Sequence, residues 1–154
     1  MYIIKISYLL VWYNCGMKKK KVSDNVTVNR RAHFDYQLGE ELSCGMALSG
    51  PEVRLIRDHH VQLKGSFVTI RNSELWLNNL TLGADTARNI KLLATKKQIR
   101  ALEREKVAGS TVVPVKLLGG GRHIKLIIAV GKGKKKYDKR ETIKKRDIDR
   151  GRYA

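Results

Sequence analysis

Apolar residues recur along the middle of the chain in short runs, and this pattern predicts strands more than helices. Phe34-Asp35-Tyr36-Gln37-Leu38 alternates with the period of two that a half-buried strand requires. Ala32–Ala47 therefore reads as extended, with Phe34, Tyr36, Leu38 and Leu42 as its apolar positions. A helix start follows. Ser49 and Glu52 have capping-box spacing, and Pro51 is tolerated because first-turn amides lack an intrahelical partner. This helix is expected to reach Arg57, burying Val53 and Ile56 and exposing Arg54 and Arg57. Ser66-Phe67-Val68-Thr69-Ile70 and Glu74-Leu75-Trp76-Leu77, joined by Asn72-Ser73, predict a hairpin. A polar connection runs through Gly83, Asp85 and Asn89. After Lys91-Leu92-Leu93, Thr95 and Gln98 form a second capping box. The helix they open has Ile99 and Leu102 on its buried face and Gly109 as its stop. Thr111–Val115 and Ile124–Val130 pair around Gly119-Gly120-Gly121, and Pro114 places the first of them at an edge or a bulge. About five or six strands and two or three short helices imply a mainly β domain over residues 29–130, a small barrel of the oligonucleotide-binding type.

Past Val130 this pattern stops. Gly131-Lys132-Gly133 leads into a charged run whose large apolar residues, Tyr137, Ile143 and Ile148, build no stripe. Residues 131–154 are expected to be a basic tail, disordered when free. Residues 1–28 read as an N-terminal extension, either disordered or carrying a mis-assigned start. MYIIKISYLLVWYNCG is apolar, but a relaxed transmembrane helix needs about twenty residues. It also lacks the basic n-region and the cleavage site of a signal peptide. Met17 stands directly before Lys18–Lys21, so residues 1–16 are expected to arise from an upstream start assignment, with a membrane anchor as the alternative.

Charge narrows the partners. The 154 residues hold 32 Lys and Arg against 14 Asp and Glu, a net charge of +18. Residues 29–130 have 16 basic and 9 acidic residues, whereas 131–154 have 11 and 4 in a quarter of the length. A mildly basic body with a strongly basic end points to nucleic acid. Cys15 and Cys44 lack CxxC spacing, which excludes a zinc finger or disulfide framework and suits a reducing cytoplasm.

Catalytic signals are weak. His33, His59, His60 and His123 lie in separate segments. His33 beside Arg30 and Arg31 is the best candidate for a ribonuclease acid–base group, but a surface histidine on an RNA-binding face explains it more simply. His59 and His60 are adjacent and do not share a helical face for a metal. No GxSxG, HExxH or P-loop occurs. The expectation is a protein without catalysis, metal or cofactor. The tail GKGKKKYDKRETIKKRDIDR, in contrast, combines a glycine hinge, a phosphate-binding lysine run and one aromatic able to stack on a base. Its acids come early and Lys144, Lys145 and Arg146 later, the order a helix dipole prefers, so binding a polyanion would make it helical.

This tail resembles the C-terminus of the small protein B family, the bacterial SsrA- or tmRNA-binding proteins of trans-translation. The resemblance extends to Ile128-Ala129-Val130-Gly131, Leu48-Ser49-Gly50-Pro51-Glu52-Val53, SFVTI, ELWL and KLLATKKQI, in order over most of residues 29–150. It implies an oligonucleotide-binding-type barrel that brings the tRNA-like domain of tmRNA, with elongation factor Tu, to stalled ribosomes. It further implies a tail that enters the empty mRNA channel near the decoding centre and folds there as a helix. By position, Asn29, Arg30, Arg31, Lys91 and Leu92 match tmRNA-contacting positions. Lys132, Lys134, Lys135 and Lys136 match phosphate contacts of the tail, and Tyr137 falls at an aromatic or imidazole position. Asp138-Lys139-Arg140 and Ile143-Lys144, continued by Lys145 and Arg146, match the functional helix.

Three departures stand out. The loop between Leu80 and Arg88 is several residues short, the arginine pair before the Lys91-Leu92-Leu93 run is reduced to Arg88-Asn89-Ile90-Lys91, and Ser43 stands where many members have a glutamate implicated in RNA binding. The function expected is a monomeric, cytoplasmic RNA-binding adaptor for ribosome rescue, with no membrane partner. A ribosome-associated or ribosomal RNA-binding protein is the alternative, and a nuclease a more distant one.

Overall fold

The computed structural model describes residues 25–86 and 88–151. The expectations for residues 1–16 lie outside the described residues. Strand β1 (Val26–Val28) passes through Asn29 into the short helix α1 (Arg30–Asp35), and the chain straightens at Tyr36 into β2 (Tyr36–Met46). Helix α2 (Gly50–Arg57) and strand β3 (Val61–Gln62) lead to a hairpin of β4 (Phe67–Arg71) and β5 (Glu74–Asn78). Two short strands, β6 (Thr81–Leu82) and β7 (Asp85–Thr86), precede β8 (Ile90–Leu93) and helix α3 (Lys96–Glu105). The long pair β9 (Ser110–Leu118) and β10 (Lys125–Gly133) ends in helix α4 (Lys136–Asp149).

Six strands close a barrel in the order β9-β10-β2-β8-β5-β4, the ring returning to β9 through Val68 opposite Val112. This is the expected mainly β class. Inward positions such as Val68, Leu75, Leu77, Leu92, Val112, Leu126 and Ile128 form one core, joined by Ile56 of α2 and by Ile99 and Leu102 of α3. Both predicted capping boxes form. The Ser49 N–H donates to Glu52 Oε2 at 2.6 Å, and the Thr95 N–H to Gln98 Oε1 at 2.9 Å. The Asn72-Ser73 turn has φ of 51° and 56°, the doubly left-handed geometry that follows the twist of a two-residue hairpin.

Several expectations need correction. Ala32–Asp35 is helical, because the Asn29 side chain accepts the Ala32 N–H at 3.2 Å and caps a turn that buries Ala32. The strand period begins only at Tyr36. The connection across Gly83 and Asp85 contains β6 and β7, which pair with β3 in a separate three-stranded sheet. The folded body also begins earlier than residue 29. β1 pairs with β9 over Val26–Val28, and buried Asn25 donates to the carbonyls of Ile56 and Arg57 at the end of α2. At the other end β10 continues to Gly133, beyond the expected limit at Val130. Gly131 is needed there, since a Cβ would lie 3.0 Å from the Cβ of Tyr36.

Pro114 marks a bulge inside the sheet rather than an edge. Opposite Ile127 and Ile128 of β10 stand Lys116 and Pro114, so Val115 is the extra residue. At this point β9 also exchanges neighbours on its other side, from β1 near Lys116 to β4 at Val112. Asn29 fills the gap. Its N–H donates to the Val115 carbonyl at 2.8 Å. Its side-chain Nδ2 donates to the Pro114 carbonyl at 2.9 Å and to the Leu63 carbonyl at 3.2 Å. Pro114, which has no N–H, therefore stands where no ladder donor is required of it.

Asn29→Ala is expected to destabilise the protein by about 2–4 kcal/mol, the sum of a missing cap and a lost donor to the Pro114 carbonyl, since the Leu63 carbonyl still accepts from Ser66. Asn29→Asp keeps the cap acceptor but sets a carboxylate against two carbonyls, so it should cost at least as much. Urea unfolding measures both, and a wild-type midpoint for Asn29→Asp would show that the cap alone matters.

Candidate nucleic-acid interface

The basic residues before β2 and those of the tail meet at one corner. Gly133, the end of β10, pairs with Tyr36, the start of β2, so the chain leaves the barrel beside α1. Lys134 continues the contact, its N–H donating to the Asp35 carbonyl at 2.9 Å and its Nζ to the His33 carbonyl at 3.0 Å. Arg30 and Arg31 are exposed on α1, with Arg31 Nε 3.7 Å from Asp35 Oδ2. Asn29, in contrast, is buried and its carboxamide is fully engaged inside the protein. Its position fixes where α1 starts and hence where the two arginines stand.

Helix α4 begins at Lys136, because Asp138 Oδ2 accepts the Lys135 N–H at 3.2 Å. The helix buries none of its fourteen residues. Lys132, Lys135, Lys136, Arg140, Lys144, Lys145 and Arg146 are exposed, as are Tyr137 and Ile143. Lys135 Nζ lies 6.0 Å from the Tyr137 ring centroid. Lys139 is half-buried and pairs with Asp35 Oδ1 at 2.8 Å.

Lys91 and Leu92 lie elsewhere. They sit on β8 at the far end of β2, where Leu92 pairs with Met46. The eleven-residue β2 puts about 30 Å of strand between them and α1. Lys91 bonds Glu74 and approaches the Trp76 ring to 6.0 Å from its centroid. Leu92 points inward and is 3% exposed, whereas Leu93 is 55% exposed on the outer face. The alternation Ile90-Lys91-Leu92-Leu93 carried that signal, since Lys91 outside requires Leu92 inside and Leu93 outside.

Ser43 is exposed on β2. Arg88 is committed to α2, its Nε and Nη2 each 3.2 Å from a Glu52 carboxylate oxygen. Burial works against ionisation of Glu52, but the Ser49 hydrogen bonds and the Arg88 charge outweigh it and hold its carboxyl below the usual range. Burial pushes the Cys44 thiol up to about 11, so it stays protonated in the core. Among the described residues no group of His, Cys, Asp and Glu is placed to hold a metal, and no helix is long and apolar enough to cross a membrane.

The geometry is thus one strongly basic corner, extended by a helix with no buried residue, and a separate patch around Lys91 whose charge is paired with Glu74. Known proteins share both sequence and architecture with this chain. The family model described as "SmpB protein" matches residues 26–153. The SsrA-binding protein of Levilactobacillus brevis is 40% identical over 144 residues, covering 86% of this chain and 92% of that relative. The SsrA-binding protein of Mesoplasma florum is 40% identical over 136 residues, covering 81% and 91%. A solved chain from the structure described as "tmRNA-SmpB: a journey to the center of the bacterial ribosome" superposes with a TM-score of 0.60 at 32% identity, over 77% of this chain and 94% of that one. The chain belongs to the SmpB protein family.

Proposed function

We propose that this protein is the tmRNA-binding adaptor of trans-translation, a binding protein that brings tmRNA to stalled ribosomes. The observation that carries the reading is α4, a helix of fourteen residues with no buried side chain, springing from the strand end beside Arg30 and Arg31. So short a helix is marginal in water unless something packs against it. Its exposed cations suit an RNA-lined channel, where counterion release favours binding and phosphates relieve their repulsion.

In this reading Arg30 and Arg31 contact phosphates of the tRNA-like domain, and Asn29 serves by positioning them. Lys91, with Leu93 rather than Leu92 beside it, forms the second contact, and shape dominates recognition as for other folded RNAs. Lys132 and Lys134–Lys136 meet ribosomal phosphates, Tyr137 stacks, and Asp138 through Arg146 form the helix that reports an empty mRNA channel. The tail is disordered until it reaches that channel. The protein acts as a cytoplasmic monomer, joins elongation factor Tu only through the tmRNA complex, and catalyses no reaction.

Two measurements test this division. Deleting residues 135–154, a cut that spares β10, should leave tmRNA affinity nearly intact and abolish tagging on stalled ribosomes; parallel loss of both would refute it. Replacing Arg30 and Arg31 by Ala should weaken tmRNA binding and flatten the plot of log K against log salt, by about 0.7–0.9 for every phosphate no longer neutralised. An unchanged slope would remove both arginines from the interface.

A further inference from the structure

We propose that the RNA bound at α1 and at Lys91 crosses between them over the outer face of the barrel end, through a cleft at the β9–β10 turn that holds one nucleotide. This deepens the function proposed above and rests on it. Five strands are in register at that end. Val26 of β1 stands opposite Leu118 of β9, Leu118 opposite Lys125 of β10, Lys125 opposite Gly45 of β2, and Gly45 opposite Leu93 of β8. Their chain neighbours Leu117, Leu126, Cys44 and Leu92 are buried, so this row faces outward. Its ends, Val26 and Leu93, are 42% and 55% exposed. Four strand spacings make the row about 19 Å long. Val28 shares the face of Val26 and stands two residues before Arg30, which links the row to α1. Lys91 shares the face of Leu93 on β8.

Two routes join the α1 corner to Lys91. The direct one, along β2, passes the exposed Glu40 and Glu41, and the cation beside it, Lys116, is already paired with Glu41 at 3.4 Å. The longer one follows β1 and then the row, whose residues include no acid. A strand with a charge on every phosphate is repelled by the first route and accepted by the second. The second route also carries cations to hold it. A cleft of about 540 Å³ at the β9–β10 turn is lined by Val26 and Leu118 and by Arg122, His123 and Lys125. That volume lies within the range of roughly 300–1,000 Å³ found for ligand clefts. Arg122 and Lys125 are exposed, and among the described residues neither forms an ion pair. The apolar part suits a ribose or base face, and the two cations suit the phosphates on either side of it. Asn25 fixes the turn, its carbonyl accepting the Gly119 N–H at 2.7 Å while its side chain holds the end of α2.

The test is the affinity of the full-length protein for a transcript of the tRNA-like domain of tmRNA, measured from low to high salt. Arg122→Ala together with Lys125→Ala should weaken binding and flatten the plot of log K against log salt, by about 0.7–0.9 for each of the two phosphates released. The charge-keeping pair Arg122→Lys and Lys125→Arg should retain the wild-type slope. Glu40→Gln should leave the affinity unchanged, because the RNA does not pass it. All three positions are exposed, so thermal midpoints should stay at the wild-type value. An unchanged slope in the alanine pair, or a tighter complex with Glu40→Gln, overturns the route. Loss of affinity on replacing Arg30 and Arg31, without any on replacing Arg122 and Lys125, would sink the route and spare the proposed function. A wild-type protein with no preference for the tRNA-like transcript over an equal length of ribosomal RNA would sink that function, and the route with it.

Discussion

The Asn29 carboxamide is the contact on which the arrangement of the functional corner depends. Three segments converge on it: the bulged carbonyl of Pro114, the Leu63 carbonyl after β3, and the first turn of α1. A six-strand barrel with a seventh strand on one side must exchange neighbours somewhere along its longest strands. Here the exchange falls at the β9 bulge, where ladder groups would otherwise lack partners. Buried carbonyls without donors cost about 1–3 kcal/mol each, so a side chain with two N–H donors and one acceptor is well matched to the place. That match lets a buried asparagine fix the start of α1, and with it the places of Arg30 and Arg31.

From this point the functional geometry propagates outward. With α1 starting at Arg30, its two arginines are exposed and its last carbonyls face the end of β10. The tail therefore emerges beside a helix that already carries two exposed arginines. Of the chain's +18, residues 29–130 and 131–154 carry +7 each, the first as a sparse set of cations at fixed places on the barrel and the second as a dense set on a tail whose helix has no buried residue. Asp35 lies between them, with Oδ2 facing Arg31 and Oδ1 facing Lys139.

The patch around Lys91 shows how a pairing can redirect an expected contact. Arg88, which sequence order sets near the Lys91 segment, is spent on Glu52 and the Ala47 carbonyl and so stabilises the entry to α2. Lys91 is tempered by Glu74 and Trp76. With Ser43 uncharged on the neighbouring strand, this surface rests more on Leu93 and Trp76 than on free cations. The α1 corner, in contrast, presents Arg30 and Arg31 to solvent.

Local signals determined much of this protein without its fold. Capping boxes at Ser49 and Thr95, the Asn72-Ser73 turn, the bulge or edge forced by Pro114, and the charge of the tail are all written within a few residues of one another. Local interactions set them, and the tertiary structure had only to agree. What stayed illegible depended on partners far away in the chain. Period-two alternation hid α1, because a cap from Asn29 and burial of Ala32 outweigh a weak strand pattern. Asn25 and Val26–Val28 look like part of a polar extension until α2 and β9 offer them carbonyls and a strand edge. Leu92 and Leu93 are alike in composition, and only closure of the barrel decides which one faces solvent. Asp35 has no motif at all. Its ion pair with Lys139 exists because β10 returns the tail to the start of β2, a contact across about a hundred residues that only the folded chain can make.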